Sequence, residues 1–140
     1  MILGNPTKIT STAVLTDKGV DAQTSMIFDY ADGAQAVLNT TMIEQTPCRA
    51  VVAGLNGWLE IDRTFYNPAS MRVVLNDGSV TEYPSTYIGH GLREQAETFK
   101  QLVRSGQQQS QILNWQDTVD IMKTKDEVRN QIGLKYPFEI

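Results

Sequence analysis

Residues 23–43 read QTSMIFDYADGAQAVLNTTMI, and this stretch decides the fold. Met26, Phe28 and Tyr30 alternate with other residues, then Asp32-Gly33 interrupts, then Ala36, Leu38 and Met42 alternate again. A period of two is the signature of a strand with one covered face. The Asp-Gly pair supplies the positive φ that a tight hairpin turn demands. Two strands joined by such a turn must run antiparallel.

The same grammar extends in both directions. Upstream, Lys8–Thr16 places Ile9, Ala13 and Leu15 on one face, and Asp17-Lys18-Gly19 turns the chain. Downstream, Arg49–Gly54, Trp58–Ile61, Met71–Leu75 and Ser79–Tyr83 read as strands, with turns at Asn56-Gly57 and Asp77-Gly78. The sequence therefore predicts a meander of about six or seven antiparallel strands. Its one long connection is Asp62–Ser70, which holds Phe65, Tyr66 and Pro68.

The period then changes. Leu92, Ala96, Phe99, Leu102 and Val103 recur at helical spacing over Leu92–Ser105, and Gly106 stops the run. Gly89 and Gly91 give the chain freedom to turn sharply into this helix. A second helix is expected over Trp115–Ile132, capped by Asn114, with Asp117 favouring the positive end of the dipole and Gly133 ending it. Ile121, Val128 and Ile132 form its stripe, and Lys125 falls inside that stripe. A lysine there lays its methylenes on apolar surface and keeps its ammonium in water.

The expected class is α+β: an open antiparallel sheet with two helices packed on one face, in a single domain spanning residues 1–140. The chain is 41% hydrophobic and 20% charged, an ordinary globular composition. At this length it can bury roughly two thirds of its unfolded surface. No stretch approaches the length of a membrane span. With a net charge of −4 and its 12 basic residues scattered, the chain has no basic stripe for nucleic acid. The single cysteine excludes an internal disulfide framework and suits the cytoplasm.

Candidate chemistry is sparse. His90 is the only histidine and Cys48 the only cysteine, so a Cys/His metal cluster is excluded. No motif supports a Cys48–His90 nucleophilic pair, and Cys48 reads as a small, half-buried strand residue. Gly89-His90-Gly91 begins like a dinucleotide fingerprint, but the third glycine position holds Glu94 and no βαβ unit surrounds it. Arg93 and Glu97 suit a surface ion pair on the first helix. Catalytic, cofactor and metal-binding residues are all expected to be absent. The opening Ile2-Leu3-Gly4-Asn5-Pro6 reads as the end of a helix, since apolar residues, Gly and then Pro form a stop signal. It is either a short ordered terminus or the tail of a helix belonging to a longer protein.

Three ordered segments carry a resemblance. They are Leu3-Gly4-Asn5-Pro6, the run from Gly89 to Phe99 (GHGLREQAETF), and the run from Asp117 to Thr124 (DTVDIMKT) with Asp126–Arg129 and Ile132-Gly133-Leu134 after it. Together they resemble the C-terminal domain of the glucose–fructose oxidoreductase, inositol dehydrogenase and rhizopine-catabolism (Gfo/Idh/MocA) family. The resemblance implies a two-domain parent with an N-terminal Rossmann domain that binds NAD or NADP. It implies substrates among sugars, polyols and related cyclic alcohols. In the family a Glu-Lys-Pro lysine and an acid–base group on a helix carry the chemistry. This chain has neither the Gly-rich loop nor the Glu-Lys-Pro motif, and its opening matches the end of the acid–base helix. The family's usual apolar residue, often Met, is here Lys125.

On that resemblance the chain is a substrate-binding and oligomerisation domain, inactive alone. Gln45, Thr46, Arg63, Tyr66 and His90 are the expected pocket-lining residues, with Tyr66 stacking on a sugar ring and Gln45 or Arg63 bonding its hydroxyls. The bland alternative is that Phe65 and Tyr66 cover a sheet edge. The expected partners are a small-molecule substrate, the parent's Rossmann domain and further copies of the chain, with no nucleic acid and no membrane. Self-association is expected through the open sheet face. Between Ala22 and Ile43 the only charges are Asp29 and Asp32, near the turn, and interface cores are depleted of charge. Thr24, Ile27, Val37, Asn39, Thr40 and Thr41 mark that patch. The rival reading is a free-standing small-ligand-binding or protein-interaction domain of the same architecture.

Overall fold

The structure is a computed structural model that describes residues 2–67, 69–89 and 91–136. Among the described residues seven strands precede two helices: β1 (Lys8–Leu15), β2 (Asp21–Asp29), β3 (Gln35–Thr41), β4 (Ala50–Gly54), β5 (Gly57–Ile61), β6 (Met71–Leu75), β7 (Val80–Tyr83), α1 (Leu92–Arg104) and α2 (Trp115–Ile132). Every strand pairing is antiparallel. The α+β class, the strand count and both helices agree with the sequence reading.

One feature departs from it. The strands form two sheets, β1-β2-β3 and β4-β5-β6-β7, in place of one continuous run. The break falls in the segment between β3 and β4. There Pro47 has no amide hydrogen to offer a ladder, and Cys48 adopts a φ of 54°, outside the strand region. Cys48 is therefore a half-buried loop residue ahead of β4, not a strand residue. The chain accordingly divides into two compact units, residues 1–45 with 109–140, and residues 46–108.

In the first unit the register unites the apolar positions read from sequence. Ile9 pairs with Phe28, Phe28 with Ala36, and Met26 with Leu38, so these residues share one face. Helix α2 docks on that face at the β1 edge. The Gln131 amide is the clamp: its Oε1 accepts from the Ser11 backbone N–H at 2.8 Å, and its Nε2 donates to the Ile9 carbonyl at 2.9 Å. The helix has well-formed ends. Asn114 accepts from the Asp117 amide while the Asp117 carboxylate accepts from the Asn114 amide, a reciprocal capping box. At the other end Gly133 turns left-handed at φ 71°, and Leu134 folds back, its amide bonding the Arg129 carbonyl. Val128, Leu134 and Ala22 form the small buried core.

In the second unit, β5 lies between β4 and β6, and Gly57 permits their close approach. A Cβ there would lie 2.2 Å from the Val74 carbonyl oxygen. Helix α1 starts at Gly91, φ 77°, with Gly89 also left-handed at φ 75°, so both glycines serve the sharp entry expected of them. The helix buries none of its residues, and Leu92, Phe99 and Val103 stay exposed. Packing of a helix on a sheet face is thus seen for α2, while the α1 stripe remains uncovered. Arg93 pairs with adjacent Glu94, and Glu97 pairs with Lys100, in place of the expected Arg93–Glu97 pair.

Candidate functional site

Three of the five expected pocket residues lie in the two segments that adjoin one end of the second sheet. Antiparallel pairing of Ala50 with Ile61 brings the start of β4 beside the end of β5. Thr46 belongs to the segment entering β4, and Arg63 and Tyr66 belong to the loop leaving β5. The Phe65 amide bonds the Cys48 carbonyl at 3.2 Å, tying loop to segment. Further bonds brace the loop: Asp62 N–H to the Ser70 carbonyl at 2.9 Å and Asn67 N–H to the Thr64 carbonyl at 2.8 Å. Tyr66 is 72% exposed and meets Phe65 edge-on, with centroids 5.5 Å apart. An exposed ring held by a neighbouring ring is a platform on which a sugar face can stack. Thr46 and Arg63 are exposed as well. Gln45 is exposed as well, but it closes the first unit. His90 lies outside the described residues.

Next to this end sits a charged cluster that residue-type reasoning passes over. Glu60 on β5 is only 5% exposed. Its carboxylate accepts from Arg49 at 2.9 Å and from Arg72 at 2.7 Å and 3.1 Å. The Arg72 guanidinium also stands 5.4 Å over the Trp58 ring. Hydrogen bonding to Arg72, followed by the nearby charges of Arg72 and Arg49, holds the Glu60 carboxyl below the usual glutamate range. The same contact raises Arg72. The sequence carried one signal for this: an acid inside the apolar run Trp58-Leu59-Glu60-Ile61.

The first unit holds a concavity of about 490 Å³ between α2 and the β2–β3 part of its sheet. Met26, Phe28, Tyr30, Ile121, Val128 and Ile132 give it apolar walls, with Lys125 and Thr40 at the surface.

The six expected interface residues divide between two surfaces. Thr24 is 2% exposed, and Thr24 and Thr40 both line the α2 groove. Ile27, Val37, Asn39 and Thr41 lie on the opposite face, because alternate residues of a strand point to opposite sides and Ile27 pairs directly with Val37. Thr24 and Thr40 thus leave the proposed patch. On the remaining face Val37 is 79% exposed and Asn39 bonds Ser25 across the strands at 2.9 Å.

Nothing in the described residues fits a dinucleotide. Every ladder is antiparallel, so there is no strand–loop–helix–strand crossover to cradle a pyrophosphate. Glu94 places a carboxylate in the first turn of α1, where it would repel phosphate. Among the described residues no three His, Cys, Asp or Glu side chains gather to hold a metal, and no helix is long and apolar enough to cross a membrane.

No family model matches the chain. Curated relatives do. A trans-1,2-dihydrobenzene-1,2-diol dehydrogenase from Xenopus tropicalis is 29% identical over 94% of this chain and 42% of its own length. A scyllo-inositol 2-dehydrogenase (NADP(+)) from Bacillus subtilis is 25% identical over 98% of this chain and 41% of its own. A D-xylose 1-dehydrogenase (NADP(+)) from Hypocrea jecorina is 26% identical over 94% and 37%. The fold matches that of an aldose–aldose oxidoreductase from Caulobacter crescentus, crystallised with glycerol, at a TM-score of 0.74 and 17% identity, covering 91% of this chain and 39% of that one. The chain spans about two fifths of the length of the curated relatives it matches. Its homologues are sugar and polyol dehydrogenases of the Gfo/Idh/MocA type, and it aligns with their C-terminal part.

Proposed function

We propose that this chain is the C-terminal substrate-binding and oligomerisation domain of a cytoplasmic NAD(P)-dependent oxidoreductase that acts on a sugar, a polyol or a related cyclic alcohol. The observation that carries the reading is the alignment of 94–98% of the chain with dehydrogenases of a cyclic diol, an inositol and a pentose. All three of those substrates carry hydroxyls on a compact carbon frame. The Thr46–Arg63–Tyr66 end of the second sheet offers the matching chemistry: a ring for stacking, and hydroxyl and guanidinium groups for hydrogen bonds. Gln45 and His90 are proposed to complete the lining. The Rossmann domain of the whole protein would hold the cofactor and supply a lysine, and a helix near the start of the second domain would supply the acid–base group, since hydride transfer needs cofactor and proton acceptor held against the substrate. This chain's contribution is to bind and orient the substrate.

Two measurements test this. Calorimetric titration of NADH and NADPH into the 140-residue chain should give no binding. Low-micromolar affinity would overturn the division of labour. The coding DNA upstream of Met1 should read in frame into a Rossmann domain, and the whole protein should reduce NAD or NADP with a polyol or sugar. A stop codon just before Met1 would instead favour a free-standing ligand-binding or interaction domain.

A further inference from the structure

We infer that Asn56 is a site of spontaneous covalent modification, at which its side-chain amide closes on the Gly57 backbone nitrogen and the residue ends as isoaspartate. In the first step the Gly57 nitrogen gives up its proton and forms a bond to Cγ of Asn56. The Cγ–N bond of the carboxamide breaks, and ammonia leaves with that proton. Water then opens the cyclic imide. Attack at the main-chain carbonyl gives isoaspartate, and attack at the side-chain carbonyl gives aspartate. Water is the only co-reactant.

The β4–β5 turn meets the demands of this reaction. The attacking nitrogen belongs to a residue with no side chain to hinder it. The fold itself requires that glycine: Gly57 has a φ of 152°, and a Cβ there would lie 2.2 Å from the Val74 carbonyl oxygen. Asn56 is exposed in the turn beside Leu55, itself 97% exposed, so water and base reach it. The Asn56 carboxamide bonds no other described residue and is free to rotate toward the peptide. The Asn56 carbonyl accepts from the Asn76 N–H at 3.0 Å. That bond draws electron density from the peptide and favours the anion that attacks. The nitrogen must also leave the ladder. Gly57 pairs with Gly54 at the last rung, and a pair of glycines has no side-chain contact to hold the rung shut.

The other asparagines lack this combination. Asn39 bonds Ser25 at 2.9 Å, Asn76 bonds the Leu55 carbonyl at 2.8 Å, and Asn114 caps α2. Asn5 and Asn67 precede proline, which has no N–H to attack with. Asn130 lies inside α2. The two Asp-Gly turns are tied as well. Asp32 accepts from the Ala34 N–H at 3.1 Å, and Asp77 accepts from the Ser79 N–H at 2.8 Å. Hydrogen bonds from Ser79 hold the Asp77 carboxyl below the usual aspartate range, and an ionised carboxylate is a poor electrophile. Isoaspartate at position 56 would lengthen the main chain by a methylene between β4 and β5 and add a negative charge. Both strain the close approach of Gly57 to β6.

Incubation of the folded 140-residue chain at mildly alkaline pH in heavy-oxygen water, followed by peptide mapping, tests the assignment. The peptide holding Asn56 should convert from amide to acid with uptake of labelled oxygen, an order of magnitude faster than any other asparagine peptide. Electron-transfer fragmentation should find isoaspartate as the main product. Asn56→Gln, whose extra methylene disfavours ring closure, should stay unmodified with unchanged circular dichroism. The aged parent should unfold at a lower urea midpoint than fresh protein, and aged Asn56→Gln should not. Conversion at Asn56 in the urea-unfolded chain alone would overturn the inference, since the ladder would then shield the site. Faster conversion at another asparagine, or isomerisation at Asp32 or Asp77 that outruns Asn56, would overturn it too.

Discussion

Glu60 and Arg72 face each other across β5 and β6, and the guanidinium reaches the carboxylate with two donors, Nε at 3.1 Å and Nη2 at 2.7 Å. Arg49, from the segment before β4, takes the other carboxylate oxygen. One acid thus ties three neighbouring chain segments, and it is more deeply covered than either arginine. Removing it leaves two cations facing each other without their shared counter-ion. Glu60→Ala should therefore lower the urea midpoint more than Arg49→Ala, whose loss leaves the Arg72 bonds intact. Equal effects of the two substitutions would show that the Arg72 bonds add nothing to the tie.

The same contact has a pH signature. The folded-state pKa of Glu60 is depressed, chiefly by its hydrogen bond to Arg72. The folded protein thus binds this proton less readily than the unfolded chain does. Stability from this group is fully present above the ordinary glutamate range and is lost as pH falls through the depressed value. Asp120 behaves alike, held down first by its bond to Asn5 and then by Gln116. Acid titration of the urea midpoint should slope downward below the carboxylate range, with a shallower slope in Glu60→Gln. An unchanged slope would mean that Glu60 does not couple folding to pH.

Gly57 is the position where a side chain has least room. Its φ is 152°, and a Cβ would meet backbone of β6 at Val74 and Leu75. Gly57→Ala should cost about 1–3 kcal/mol or more through overpacking against rigid backbone. Gly78→Ala, at a turn with open space around it, should cost less, only its positive φ being strained. Urea unfolding of both variants, followed by the fluorescence of adjacent Trp58, gives the comparison, and equal costs would contradict the close approach.

Much of this architecture is written in the sequence, and the reasons are local. Helix α2 spans Trp115–Ile132, the limits that Asn114 and Gly133 mark, because caps act through neighbouring backbone groups. Strand faces follow from alternation, and so Ile9, Phe28 and Ala36 align. Parity also separates Thr24 from Ile27, three residues along the same strand. Grouping them by their shared lack of charge hides that separation. The break between the sheets is harder to read, since Pro47 on its own is compatible with an edge or a bulge. The Glu60–Arg72 contact depends on the register set across the long Asp62–Ser70 connection, which no local signal fixes. The Thr46–Arg63–Tyr66 grouping depends on antiparallel closure of β4 on β5, which the Asn56-Gly57 turn does announce.

Lys125→Met should stabilise the 140-residue chain. The lysine lines an apolar groove, and a methionine there adds a thioether to the walls formed by Ile121 and Val128 while removing a charge. The gain should be about 0.5–2 kcal/mol. Urea midpoints of the two chains decide this, and a lower midpoint in the variant would show that Lys125 is better placed in water than a methionine.

Self-association should proceed through the face of the first sheet that points away from α2. Ile27 and Val37 pair across β2 and β3 at its centre, and Thr10 of β1 pairs with Ile27 on the other side. Asn39, Ser25, Thr41 and Thr12 surround them, polar but uncharged, while Lys8 and Asp29 stand at one end. A water-facing sheet surface ordinarily carries Lys and Glu, whereas the centre of a protein interface is depleted of them. A two-fold axis through the Ile27–Val37 pair would set the patch against itself, with apolar residues meeting at the centre and the hydroxyls and amides bonding around them. Light scattering behind a sizing column, at tens of micromolar protein, should give about twice the 15.6 kDa chain mass or more. Val37→Lys with Thr12→Lys should return it to the monomer mass without changing the circular dichroism, because both positions are exposed and neither touches α2. Thr40→Lys, on the groove side, should leave the assembly intact, and that contrast separates the two faces. A monomeric parent chain would count against the interface, as would an assembly indifferent to Val37→Lys with Thr12→Lys but split by Thr40→Lys.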